Sequence, residues 1–519
     1  MNAAITALLL TEVRLRMRRP GTLVAVLALI VLTWLMVGDP AKGHAMIVSD
    51  NARVTYNSSC LAIGSAALTG LFFGLIGFYL TRGRMNEDIR TGVGAVLAAT
   101  PSGSGVFVFG RWLGNVAYLC GLLLIFLVTM LVLHLLRGEG PMQLAVYLQT
   151  YALVLLPLVF FTASIVLLFE SWPPLMGKGG DVLYFVLWTM QLSAGAIATA
   201  NHKSWSPALL LDFSGIGIVI AQVSAVLPSS GLVIGGGDFD ASLAPRTLPN
   251  LLWTAPIVWT RIASALIALL PLLPALLLFH RFSPDRVKVR AGQGGWSPLA
   301  LLNRVLRPCA RIARPLLPLA ARLPGVGGHV LALLALVLLT NPAAIVAALA
   351  LLVLGCAIDG PQLGAVVIGA IVVWGILISE ISVRDAQYDV DAMTAALPGG
   401  RLRSYAAQWL ASCLLALLLT APVLLRWLAH APLRAAALLC GVAALSAAAG
   451  VLGGLSRTAR TFLALFLFGM YVATQAVTIP ALDVAGFNGA ATIASVTGYL
   501  VAAGLLLLLG RLLALRQSR

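Results

Sequence analysis

The polar block from Glu87 to Trp112 occurs twice in this chain, each time between long apolar runs. The first copy reads Glu87-Asp88-Ile89-Arg90, then Ala98-Ala99-Thr100-Pro101, then Arg111-Trp112. The second reads Arg384-Asp385-Ala386-Gln387, then Ala395-Ala396-Leu397-Pro398, then Gln408-Trp409. The acid, the Ala-Ala pair, the Pro and the Trp keep one offset of 297 residues. Self-similarity at a fixed spacing constrains architecture before any local signal does. It predicts two versions of one membrane half, each showing the same polar segment to one aqueous side.

What surrounds the blocks excludes a soluble protein. Of 519 residues 60% are hydrophobic and 10% charged, with mean hydropathy +0.98, against about 25% charged in a soluble domain. The formal charge of +16 is then answered by anionic membrane lipid and not by nucleic acid. A span needs about 20 apolar residues, and twelve segments meet that template. They fall at 21–38, 58–81, 106–136, 144–170, 181–200 and 251–280, then 343–358, 362–380, 404–428, 433–455, 461–480 and 490–513. The predicted fold is an all-α polytopic membrane protein of about 12 transmembrane helices. Two pseudo-repeated six-helix halves, 1–281 and 326–519, are joined by a basic linker, 282–325. The first apolar run is too long for a cleaved signal and stays as a span.

Lys and Arg set the orientation. With the N-terminus inside, 26 of the 34 basic residues fall on the cytoplasmic side and eight on the other: Lys42, Arg53, Arg137, Lys203, Arg246, Arg261, Arg426 and Arg434. That bias places both termini, both copies of the block and the Pro-rich linker inside, as in a multi-pass protein of a bacterial inner membrane. Before the first span, Leu8, Leu9, Val13, Leu15 and Met17 alternate with Glu12 and Arg14, Arg16, Arg18 and Arg19 up to Pro20. This pattern fits an amphipathic helix on the inner surface. Its counterpart in the second half, up to Asn341-Pro342, has no such basic residues, and a single broken helix from His329 to Gly355 fits as well. Outside, the halves differ: the first carries a long loop, 201–250, with an apolar piece at 214–227 that fits a short re-entrant or interfacial helix. The second has only 481–489. Within the long loop, Gly235-Gly236-Gly237-Asp238-Phe239-Asp240 reads as a flexible turn, two carboxylates being too few for calcium.

The usual signatures of chemistry are missing. The sequence holds no phosphate-cradling GxxxxGK[ST], no HExxH, no GxSxG and no paired His/Cys metal spacing. No catalytic residue, metal ligand or directly bound cofactor is predicted. All 18 Asp and Glu fall in loops or at span ends, with Glu170, Asp181, Asp359 and Glu380 nearest the membrane. An ion-coupled carrier keeps ionisable groups in its interior. The energy for transport is therefore expected from outside the bilayer. Uncharged candidates for a substrate path are Phe72, Phe73, Trp188 and Gln191 in the first half and Trp374, Tyr471 and Gln475 in the second. The same residues fit interhelical packing and hydrogen bonding.

An Arg-rich surface helix ending in Pro, six spans, and the segment running from Arg90-Thr91-Gly92-Val93 through Thr100-Pro101 to Gly110-Arg111-Trp112-Leu113-Gly114 resemble the ABC-2 type permease family. The resemblance covers both halves, which here are fused where family members commonly carry one half per chain. It implies a transmembrane permease that is not itself an enzyme. It also implies export of an amphipathic or lipid-like substrate, powered by ATP on two copies of a separate soluble ATPase subunit. The segment after the second span would be the coupling helix, with Glu87, Asp88 and Arg90 facing one ATPase and Arg384, Asp385, Asp389 and Asp391 the other. Two other classes fit less of the chain. A twelve-span carrier of the major-facilitator kind is approximated only by Gly83 to Asp88. A membrane-embedded transferase rests on Asp212, Asp238 and Asp240.

Overall fold

In hydrocarbon each backbone N–H and C=O needs an internal partner, so long apolar runs fold as helices. The computed structural model is helical along those runs. It describes the chain apart from residues 1, 41–42, 101–102, 201–205, 229–230, 251–252, 280–297, 388–389, 397–399 and 517–519. Among the described residues eight helices are long and apolar enough to cross a membrane, or ten when two sharply bent helix pairs each count as one span. The protein is therefore a predominantly helical, multi-pass membrane protein. The segments expected as fifth and eleventh spans are also helical but lie outside those ten; the eleventh is 17 residues long. Contacts divide the chain into two units, Met1–Ser297 and Pro298–Arg519.

The first unit contains α1 (Asn2–Met17), α2 (Pro20–Met36), α3 (Ser58–Thr81), α4 (Arg84–Arg90), α5 (Val93–Ala99), α6 (Ser104–Arg137), α7 (Leu144–Ser171), α8 (Lys178–Ala200), α9 (Ile216–Val226), α10 (Ala255–Ile267) and α11 (Leu272–Leu278). α3 is buried along most of its length and is the hub. α1 meets α2 at a 73° bend, where Pro20, with no N–H to donate, opens the second helix. α1 lies against α6 because Gly110 and Gly114 leave room: a Cβ on Gly110 would come within 2.9 Å of Leu8, and one on Gly114 within 2.7 Å of Glu12.

At the N-terminal end of α3 the expectation of an all-helical chain needs correction. β1 (His44–Ser49), β2 (Ala52–Arg53) and β3 (Leu232–Asp238) form an antiparallel sheet in the order β2-β1-β3. Two loops far apart in sequence are thus one structure. The Gly-rich stretch read as a flexible turn supplies much of β3, with Ile47 opposite Ile234 and Val48 opposite Val233. Arg246 ties the two loops again through Ser49 (2.9 Å) and Asp50 (3.2 Å), and Asn57 and Ser59 bond the carbonyls of Leu248 and Pro249. The apolar piece expected at 214–227 is α9. It packs on α8 where Gly195 meets Gly217 backbone to backbone.

The second unit contains α12 (Pro298–Val305), α13 (Leu316–Arg322), α14 (Gly325–Thr340), α15 (Pro342–Ala357), α16 (Leu363–Ile381), α17 (Arg384–Gln387), α18 (Asp391–Ala396), α19 (Gly400–His430), α20 (Pro432–Ser456), α21 (Ala459–Gln475) and α22 (Ile493–Arg516). The described part of the expected linker is not a free tether. α13 packs on α14, and Asn303 accepts a hydrogen bond from Ala343 N at 3.0 Å. α14 and α15 meet at 98° at Asn341-Pro342, so the second half also begins with a helix set across the next one. α14 packs Val330 and Leu333 on Ala407 and Ala411 of α19.

In each unit a buried Asp and an Arg hold the loop before the last helices. Asp212 accepts N–H bonds from Gly215 and Ile218, while Arg261 donates to the carbonyls of Asp212, Leu153 and Val154. Asp483 accepts from Asn488 and Ala490, while Arg434 donates to Gly486 and Phe487.

Candidate functional site

The first copy of the repeated block is built around buried charge. The α4 N-terminus follows Gly83, whose φ of +98° suits glycine. Glu170 of α7 caps it, accepting N–H bonds from Gly83, Arg84 (2.9 Å) and Met85 (3.3 Å). A carboxylate there satisfies orphan donors and offsets the helix dipole. Beside it Arg82 pairs with Asp181 at 2.6 Å and lies over the rings of Phe78 and Phe169. These two pairs explain how acids near the membrane are tolerated at the ends of α7 and α8.

From that anchor α4 aims Asp88 inward. Asp88 pairs with Arg111 of α6 and, at 3.4 Å, with Arg84. Glu12 of α1 meets Arg16 (3.4 Å), Arg84 (3.5 Å) and Arg111 (3.4 Å). Glu12, Arg16, Asp88 and Arg111 are all buried, so one five-member network fastens α1, α4 and α6. Glu87, half-exposed, bridges Arg84 (3.0 Å) to Arg19 at the rim. Such a network is costly to break one partner at a time, because the survivor stays charged and buried.

Asp88, expected to face an ATPase, therefore lies beneath the surface. What the segment presents outward is the half-exposed Glu87 and an apolar face on α5, with Val96 68% exposed. The side chain of Arg90 lies outside the described residues.

The second copy follows the same plan without the network. Asp385 is half-buried and accepts from Ser404 Oγ at 2.9 Å and Gln408 Nε2 at 3.4 Å. Gln408 stands at the offset position of Arg111 and has kept the contact but lost the charge. Trp112 donates Nε1 to Ser164 of α7, and Trp409, at the same offset, donates to Ala443 O of α20. Met393 of α18, 297 residues after Val96, is 74% exposed. Arg384 begins α17, half-buried; Asp389 lies outside the described residues, as does the side chain of Asp391, which begins α18.

The residues proposed for a path divide. Phe72, Phe73, Trp188 and Trp374 are buried inside their own units. Trp188 Nε1 donates to Leu71 O (2.9 Å) and Trp374 Nε1 to Ser412 O (2.7 Å), the bonds expected of packing residues. Gln191 is buried and its amide nitrogen has no partner among the described residues. Tyr471 is half-buried and Gln475, which ends α21, is exposed.

Sequence reading missed Glu12, Arg16, Arg84 and Arg111 as a unit. The available signal was four arginines and an acid ahead of a proline together with an Arg inside a spanning helix, each of which has to find a counter-charge. Among the described residues no three of His, Cys, Asp and Glu converge to hold a metal ion. No family profile, curated protein or solved structure matches this chain.

Proposed function

We propose that the chain is the permease of an ATP-binding-cassette transporter, two six-span halves fused, exporting an amphipathic or lipid-like substrate. In this reading it sits in a bacterial inner membrane with both termini cytoplasmic. The observation that carries the reading is the pairing of α4–α5 with α17–α18. Each is a short helical segment following a membrane-spanning helix, each ties an Asp to the next long helix, and each exposes an apolar side chain, Val96 or Met393, at the shared offset. A short exposed helix rooted through its Asp, by ion pairs in the first copy and hydrogen bonds in the second, suits transmission of force from a soluble subunit, since it cannot tilt without moving α6 or α19. Two further parallels support a duplicated half: α1 packs on Gly110 and Gly114 as α14 packs on Ala407 and Ala411, and both precede a sharp bend at a proline.

The test is purification of the full chain from its own cells in mild detergent, with ATP hydrolysis as the readout. A wild-type complex carrying an ATPase subunit is expected. Val96→Glu with Met393→Glu should lose that subunit while the chain stays monodisperse. A chain that brings down no ATP-hydrolysing subunit, or a double variant that keeps it, defeats the reading.

A further inference from the structure

Where the first unit has its charge network, the second has an open cleft of about 100 Å³. It lies among the start of α19, the end of α20 and the end of α22, at the ends of three helices able to span a membrane. By volume it holds about three waters, or one small oxyanion.

Glycine makes the space. A Cβ on Gly450 would come within 2.9 Å of the Tyr405 ring, one on Gly510 would strike the Tyr405 hydroxyl, and one on Gly453 would strike Ser382 Oγ. Gly454 faces the cleft with nothing within 4 Å of its Cβ position.

The lining holds donors that lack acceptors. Arg401 Nη1, Tyr405 Oη and Ser382 Oγ are buried atoms without a hydrogen-bond partner among the described residues. Arg457 lines the same space from a left-handed backbone, φ +53°. Glycine would close that helix end more cheaply, yet a guanidinium is kept there. Among the described residues the one carboxylate in the wall, Asp385, already accepts from Ser404 and Gln408. Buried donors without acceptors cost free energy until something accepts from them. Two guanidinium groups against one carboxylate select an anion.

We propose that this cleft binds a phosphate oxyanion, supplied by the headgroup of an anionic phospholipid or by a free phosphate. Arg401 and Arg457 form the charge-assisted bonds, and Tyr405 and Ser382 donate their hydroxyl protons. The site belongs to the second unit alone and does not depend on an ATPase partner. At the matching place in the first unit Glu12 of α1 pairs with Arg111 and Arg16, whereas α14 brings apolar side chains, Val330 and Leu333 among them, to α19.

The experiment uses the full chain in nanodiscs of phosphatidylcholine, with or without phosphatidylglycerol, and inorganic phosphate as the soluble probe. Native mass spectrometry counts retained phosphatidylglycerol, and calorimetry measures phosphate binding. Retention of one phosphatidylglycerol per chain identifies the lipid source; saturable phosphate binding in phosphatidylcholine alone identifies the free one. Arg401→Gln with Arg457→Gln should weaken either by tenfold or more. Gly454→Leu fills the cleft without removing charge and should do the same, whereas Arg511→Gln, outside the lining, should change nothing. Binding of neither probe, or binding undiminished in both the arginine and Gly454→Leu variants, overturns the proposal.

Discussion

Asp88 and Arg111 form a buried ion pair, and 297 residues later Asp385 and Gln408 make the same contact as a 3.4 Å hydrogen bond. One position has been neutralised while the geometry persists. In the first unit the acid needs Arg84, Arg111 and the Glu12–Arg16 pair around it. In the second a hydroxyl and an amide suffice because Asp385 keeps partial access to water.

Removing either member of the first pair leaves a charge without its counterpart in the interior. Asp88→Asn and Arg111→Gln should each cost about 3–5 kcal/mol, read as a lowered unfolding midpoint of the purified protein. The double variant reproduces the neutral chemistry of the second unit and should lose clearly less than the sum. Strict additivity would mean that the pair is not coupled.

Much of the helical layout is legible in the sequence, because an apolar run of 20 residues in a bilayer has one backbone solution. The bend at Pro20 is legible for a local reason, a missing N–H at a helix start. The direction of Asp88 is not, since nothing in Glu87-Asp88-Ile89-Arg90 says which acid turns inward until Glu170 fixes the start of α4. The sheet is equally hidden: β1 and β3 pair across almost 190 residues, and Gly235-Gly236-Gly237 carries no strand propensity of its own. The cleft in the second unit is written only in glycine spacing, Gly450, Gly453, Gly454 and Gly510, which has no meaning before α20 and α22 are placed side by side.

Tyr56 is the central fastening of the three-stranded sheet. Its hydroxyl accepts from Met46 N (2.9 Å) and donates to Gly38 O (3.0 Å), and burial pushes its pKa up to about 12. Tyr56→Phe leaves a buried N–H unsatisfied and should cost about 1–3 kcal/mol, seen as faster proteolysis of the loop before α3. Because the folded pKa is raised, the contribution of this proton is complete below pH 10 and lost as pH climbs through about 12. The phenylalanine variant should lose that alkaline dependence. An unchanged alkaline profile would remove Tyr56 as its source.

Orientation in the membrane can be read by labelling single cysteines in a cysteine-free background, with Cys60, fully buried, replaced by Ala. Leu243→Cys lies in an exposed loop of the first unit and Arg322→Cys on the exposed end of α13. The Lys and Arg distribution predicts that an impermeant maleimide reaches position 243 in intact cells and position 322 only after permeabilisation. Labelling in the opposite order would invert the topology proposed above.

The long loop of the first unit invites the expectation that 210–240 is a detachable flap, replaceable by a Gly/Ser bridge without harm to insertion. The structure gives it a different role. That stretch contains Asp212, whose carboxylate accepts from Gly215 N at 3.0 Å and Ile218 N at 3.2 Å, and whose carbonyl accepts from Arg261 at 2.6 Å. It contains α9, seated on α8, and β3, which covers one edge of β1. Cutting it out removes one of three acceptors from a buried guanidinium and strips β1 of its longer partner. The expected result is loss of monodisperse protein in size-exclusion chromatography. A same-length Gly/Ser replacement of the exposed tip at 241–245 should leave the elution profile and unfolding midpoint unchanged, since no side chain there is buried. If the large deletion folds normally, the sheet is not a structural tie and the loop is a tolerated insertion.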